Sequence, residues 1–143
     1  MIIVQINAVY GVGSTGRIVE AIDTELISQG HKSYSFWGTR CDTESLHSGV
    51  FRIGNTIDQK LHAFLRRLDK RQGWYSRNAT RKLQRTLEKI SPDVVHLHNL
   101  HSNYINLPSL LKFLSENEIS VLLTLHDFWF MTGYCTHYLS HDC

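Results

Sequence analysis

From Asp93 to Asn106 the chain reads Asp-Val-Val-His-Leu-His-Asn-Leu-His-Ser-Asn-Tyr-Ile-Asn, a short apolar run that breaks into polar side chains, and few folds accommodate it. In an extended segment successive side chains alternate faces, so Val95 and Leu97 share one side while Val94, His96 and His98 share the other. The run is entered through the helix stop Ser91-Pro92 and left through a new helix at Leu107-Pro108. A strand mostly apolar on both faces, between two helices, predicts a parallel sheet with helical cover on both sides. Ligands of such sheets bind beyond the carboxyl ends of the strands, which is where His98, Asn99 and His101 fall. His96, earlier on the strand, is expected to be a hydrogen-bonded core histidine rather than a ligand.

The rest of the chain repeats this alternation. Met1 to Asn7 is a β-branched strand, and Gly11-Val-Gly13-Ser14-Thr-Gly16 opens a helix carried by Ile18, Ala21, Ile22 and Leu26. Ser14 or Thr15 is expected to cap it, and Gly30 to stop it. The glycine spacing has two readings: a turn whose amides approach a phosphate at a helix N-terminus, or a tight turn for strand-helix packing. A nicotinamide dinucleotide would need an acidic residue at the end of the second strand. That strand, Ser33 to Trp37, runs out into Gly38-Thr-Arg40, with Asp42 too far on, which disfavours such a site.

Val50 to Ile53 is a short third strand. Ile57, Leu61, Phe64, Leu65 and Leu68 then recur at helical spacing and predict a helix packed on the core. A second helix from about Asn78 buries Leu83, Leu87 and Ile90, giving a basic helical insertion. The helix 107–117 packs Leu110, Leu111, Phe113 and Leu114, and the apolar strand 119–125 ends in His126-Asp127. The sum is an α/β chain, a Rossmann-like doubly wound parallel sheet most simply ordered 3-2-1-4-5. Its edge gathers the glycine turn, His98 to His101 and His126-Asp127. The same order leaves 119–125 at an open edge, which predicts pairing with a second copy.

Charge is unevenly spread. Ten of the fifteen Lys and Arg residues lie between Lys60 and Lys89 against only Asp69 and Glu88, while the remainder is acidic. Arg66, Arg67, Lys70 and Arg71 on one helix and Arg81, Lys82 and Arg85 on the next are either a solvated face or a platform for anionic lipid or polyphosphate. No nucleic-acid motif accompanies them, so no nucleic-acid partner is expected. Three cysteines, Cys41, Cys135 and Cys143, cannot all pair internally, so free thiols and a reducing compartment are expected. Cys135, His137, His141 and Cys143 are weak metal candidates, because their spacing matches no standard tetrahedral site. The N-terminus lacks a basic leader and no run approaches the roughly 20 apolar residues of a membrane span. The expected location is the cytoplasm, with peripheral contact at the inner face of the membrane.

Four blocks carry a family resemblance: Gly11-Val-Gly-Ser-Thr-Gly16-Arg-Ile-Val; Ala79-Thr-Arg leading to Ser91-Pro-Asp-Val-Val-His-Leu-His-Asn99; His101 through Asn106; and Thr124-Leu-His-Asp127 through Thr132-Gly-Tyr-Cys135. Together they resemble the N-terminal domain of a GT-B fold glycosyltransferase of family 4, of the kind that builds capsular or exopolysaccharide. The resemblance implies two Rossmann-like domains, the first holding the acceptor and the second, absent here, the nucleotide-sugar donor. The 143 residues would then be one partial acceptor-side domain, inactive alone, whose sheet continues past Cys143. It further implies retaining hexosyl transfer with His126 and Asp127 at the reacting centre. Gly11, Gly13, Ser14 and Gly16 would approach donor phosphates and acceptor, with His98, Asn99, His101 and Asn106 contacting the acceptor. No cofactor is expected; the partners are the nucleotide-sugar and a lipid-linked saccharide. A non-catalytic sugar- or nucleotide-binding domain is the alternative reading of the same edge.

Overall fold

A computed structural model of the chain describes residues 1–133 and 135–137. Five strands, β1 (Ile2–Tyr10), β2 (Lys32–Cys41), β3 (Val50–Arg52), β4 (Val94–Leu97) and β5 (Ser120–Leu123), alternate with helices α1 (Gly13–Ser28), α2 (Thr56–Asp69), α3 (Arg77–Ile90) and α4 (Leu107–Glu116). A single turn, α5 (Trp129–Thr132), follows. The strands form one all-parallel sheet in the order β3-β2-β1-β4-β5, as the alternation of elements predicts.

Side-chain parity on β1 divides the interior. Val4, Ile6 and Ala8 join Val95 and Leu97 of β4 in one buried cluster with Leu83 and Leu87 of α3 and Leu110, Phe113 and Leu114 of α4. The opposite parity carries Gln5 and Asn7, both buried, and the Gln5 amide donates to the Val19 carbonyl of α1 at 3.1 Å. Since α3 supplies three buried residues to the main cluster, it is a covering helix of the sheet. Of the basic helical pair, α2 alone stands off the core.

Several boundaries and faces differ from the pattern reading, each for a local reason. The helix α1 starts at Gly13 behind the extended Val12, so neither Ser14 nor Thr15 caps it. Its C-terminus closes as expected on Gly30 (φ +80°), with Gly30 N–H bonded to Ile27 and His31 N–H to Leu26, the paired bonds of a glycine-terminated helix. The buried face of α1 is Gly16, Val19 and Asp23, because Asp23 is held by Tyr10 Oη and His47 Nε2, each at 2.7 Å. Leu111 of α4 stays exposed. The strand β2 continues through an irregularity after Trp37 to Cys41. Asp42 therefore stands at the strand end beside Gly11, in the place the shorter strand had denied it. What fills the space above the turn is the loop itself: a Cβ on Gly11 would lie 2.8 Å from Asp42 Cβ and 2.9 Å from Ser45 Oγ.

The largest departure is α2. Ile57, Leu61, Phe64 and Leu68 are 77, 56, 58 and 70% exposed, and the buried residue of this helix is His62. The apolar stripe thus faces away from the core. All four residues of β5 are exposed as well, so the helical cover expected on both faces stops short of this edge strand.

Candidate functional site

Because all five strands run parallel, the loops after β1, β4 and β5 emerge at one edge and side by side, and that edge carries most of the chain's unusual chemistry. Its centre is a run of histidines. His98, fully buried at the end of β4, places Nδ1 3.0 Å from His126 Nε2 and Nε2 3.3 Å from Gln5 Oε1. The Gln5 amide nitrogen is turned toward Val19 O and Ser35 Oγ, which leaves Oε1, an acceptor only, facing His98. His98 therefore carries its proton on Nε2 and accepts at Nδ1, and His126 must donate from Nε2. That tautomer leaves His126 Nδ1 as a bare acceptor, without a hydrogen-bond partner among the described residues.

Burial keeps these rings neutral. It lowers the pKa of His98 to about 3, with the neighbouring His96 and His126 adding to the effect. His96 and half-buried His126 are lowered too, chiefly by burial, and the Asp127 carboxylate works against the shift at His126. His96 is satisfied by Thr124 Oγ1 at 2.8 Å, the core role expected of it.

Asp127 makes its bonds elsewhere. One oxygen accepts from His101 Nε2 at 2.9 Å and the other from the Trp129 amide at 2.9 Å, so it orients His101 and starts the α5 turn rather than holding the His126 ring. Asn99 hangs between these groups. Its amide donates to Asn7 Oδ1 at 3.1 Å and its carbonyl accepts from Tyr104 Oη at 2.7 Å. The Asn99 side chain has no partner among the described residues. Asn106, by contrast, is buried and committed: its Oδ1 accepts from Ser109 N at 3.0 Å and its amide nitrogen donates to the Trp74 carbonyl, capping α4.

The glycine turn divides into a packed and an open half. Gly11 and Gly16 are buried; Gly11 N–H is spent on Gly16 O at 3.1 Å, and a Cβ on Gly16 would press 3.1 Å from Val9 Cγ2. Gly13 and Ser14 are exposed at the head of α1, with no side-chain cap and no acidic residue in the first turn. That leaves backbone amides and the positive helix end facing solvent.

Among the basic residues, Arg66, Arg67, Lys70 and Arg71 cluster at the end of α2, while Arg81, Lys82 and Arg85 line a cavity with Arg52. Among the described residues no hydrogen bond or ion pair links either group to His98, His101, His126 or Asp127. Among the described residues no group of three or more His, Cys, Asp or Glu is placed to hold a metal. Cys41 is a free thiol and Cys135 is disulfide-bonded, which corrects the expectation of a free thiol there and removes its sulfur as a thiolate ligand. His137 is exposed; His141 and Cys143 lie outside the described residues. Among the described residues no helix is long and apolar enough to cross a membrane.

Sequence reasoning placed His98 and His126 at one edge but missed Gln5, the group that fixes both tautomers. A polar residue in the middle of the central strand of a parallel sheet was the available signal, since such a strand is otherwise apolar.

No family model and no solved structure matches the chain. A protein of Escherichia coli (strain K12) with the provisional name colanic acid biosynthesis glycosyl transferase WcaC is 37% identical over 60 residues. The match takes in 38% of this chain and 15% of that protein, so the chain corresponds to a small part of the relative's length.

Proposed function

We propose that the chain is the acceptor-side part of a retaining glycosyltransferase of the GT-B fold, family 4, that moves a hexosyl group from a nucleotide-sugar to a lipid-linked saccharide in cell-surface polysaccharide synthesis. The observation that carries this reading is the neutral His126, its Nε2 proton held by His98 and its Nδ1 open at the edge where the sheet delivers its loops. The partial likeness to the Escherichia coli protein supports it independently. An oxocarbenium-like state gains more from fixed dipoles and a stabilised leaving diphosphate than from a protein nucleophile.

In this mechanism His126 Nδ1 accepts from a hydroxyl of the transferred sugar and, being neutral, brings no positive charge beside the developing cation. The open amides at Gly13 and Ser14 meet phosphate oxygens. Asn99 and the His101–Asp127 pair line the acceptor side, with Asp127 acting through His101; Asn106 stays a structural cap. The nucleotide-sugar domain completes the enzyme, and these 143 residues are inactive without it. The protein works in the cytoplasm at the inner face of the membrane, with α2 and its basic end against anionic lipid.

The test is transfer by the full chain, read as release of nucleoside diphosphate from a panel of nucleotide-sugars with a membrane extract as acceptor. His126→Ala is expected to lower the rate by about a hundredfold or more, the usual effect of losing one placed dipole. An unchanged rate would remove His126 from the reacting centre.

A further inference from the structure

The strand β1 lies at the centre of the sheet, and a polar side chain in its middle runs against the apolar habit of such strands. Gln5 is that residue, fully buried and in register with His96 of β4. A buried amide costs free energy unless both its ends find partners, and here both do. The nitrogen donates to the Val19 carbonyl of α1 at 3.1 Å and lies 3.5 Å from Ser35 Oγ, while the oxygen lies 3.3 Å from His98 Nε2.

A main-chain carbonyl can only accept, so Val19 decides which end of the amide faces α1. Turned over, the amide would set its oxygen against the Val19 oxygen and its NH2 against His98. Everything beyond Gln5 then runs in one direction. With both rings neutral, Gln5 Oε1 accepts from His98 Nε2, His98 Nδ1 accepts from His126 Nε2 at 3.0 Å, and His126 Nδ1 is left as an acceptor at the edge. A neutral imidazole by itself has two tautomers and can donate or accept at either nitrogen. The polarity of His126 is therefore imposed on it from β1, through a ring that is fully buried and packed 3.9 Å from that of His96.

We propose that Gln5 is a specificity-determining residue: through His98 it fixes His126 Nδ1 as an acceptor, and so selects a sugar that presents a hydroxyl there over one that presents only an acceptor, such as a carboxylate, a carbonyl oxygen or fluorine. Gln5 touches no ligand and is a positioning residue. The sugar in this assignment rests on the transfer reading, whereas the tautomers it requires are a property of the protein alone.

Nitrogen-15 spectra of histidine-labelled full chain at neutral pH read those tautomers directly. His98 and His126 are both expected as Nε2–H in the parent. Gln5→Glu should keep them, because a carboxyl protonated against the Val19 carbonyl reproduces both bonds of the amide. Gln5→Leu, similar in size but without an acceptor, should show mixed tautomers at both rings. Nδ1–H on His126 of the parent would overturn the inference, and so would parent tautomers retained in Gln5→Leu. Transfer gives the second reading, with the nucleotide-sugar that the panel selects and its monofluoro analogues, in which one hydroxyl is replaced by a group that cannot donate. One analogue is expected to lose at least about tenfold in kcat/KM with the parent and with Gln5→Glu, and less than about threefold relative to its own sugar with Gln5→Leu. If Gln5→Leu does not fold, the parent and Gln5→Glu still decide: no analogue penalised by the parent, or the penalty lost in Gln5→Glu, would overturn the selection. Absence of transfer from every sugar of the panel would overturn the transfer reading and the selection with it, while the tautomers still judge the Gln5 relay by themselves.

Discussion

His98 is the residue on which the edge depends, and it imposes a pH dependence on folding. In an unfolded chain a histidine takes up its proton near pH 6.5, whereas burial holds folded His98 at about 3 and folded His62 at about 4. Between those values and 6.5 the unfolded state binds more protons than the folded one. Stability is therefore present above pH 6.5 and drains away as pH falls, at about 1.4 kcal/mol per pH unit for each histidine fully in its window. Urea unfolding midpoints between pH 7 and pH 4 should show this slope, and His98→Gln should flatten it by roughly one histidine's share. An identical slope in the variant would mean that His98 takes up its proton in the folded state at its ordinary pH. Asp127 is the sequence neighbour of His126, but its hydrogen bonds go elsewhere. Adjacent residues on an extended segment point to opposite sides, which is why Asp127 reaches His101 and Trp129 instead.

At the scale of elements, periodicity identifies which face of a helix is apolar and says nothing of what covers it. The core-facing parity of β4 was readable because a strand in the middle of a parallel sheet meets cover on both sides. The helix α2 offers the same quality of pattern and faces outward. Its buried side is filled by His62, whose Nδ1 meets Ser76 Oγ at 2.7 Å and whose ring sits edge-on to Tyr75. The end of β2 was misjudged for a different reason: Gly38 looks like a strand breaker, yet it admits Tyr104, whose Cγ would lie 2.2 Å from a Cβ at that position. An exposed stripe of Ile57, Leu61, Phe64 and Leu68 beside Lys60, Arg67 and the basic helix end has the layout of an interfacial helix. Leu61→Glu with Phe64→Glu is therefore expected to change folding stability by no more than about 0.5 kcal/mol, as surface substitutions do. The same pair should cost about 2 kcal/mol of binding to phosphatidylglycerol vesicles, roughly 30-fold. Loss of several kcal/mol of stability with vesicle binding intact would place the stripe against protein instead.

Over the whole molecule the two unfinished surfaces lie at identifiable places in the topology. The order β3-β2-β1-β4-β5 puts the most apolar strand outermost, with Val121, Leu122 and Leu123 between 42 and 52% exposed and Leu125 and Phe128 similarly open beyond it. The outer side of β5 has no further strand among the described residues, so its row of N–H and C=O groups is a template for pairing. Natural edges avoid this with lysine, proline or short length; β5 is short, at four residues, but its side chains are Ser, Val, Leu and Leu. The 143-residue chain is accordingly expected to self-associate through β5, with light scattering giving a mass that climbs toward twice 16.5 kDa as concentration rises. Leu122→Lys, which adds a charge to the strand without touching its bonds to β4, should hold the mass at one chain over the same range. Two further results decide the matter. If parent and variant both scatter as single chains, the edge is covered by the chain itself. If both associate equally, the contact lies on the other open surface, and repeating the measurement with Leu61→Glu and Phe64→Glu in α2 should then return the single-chain mass.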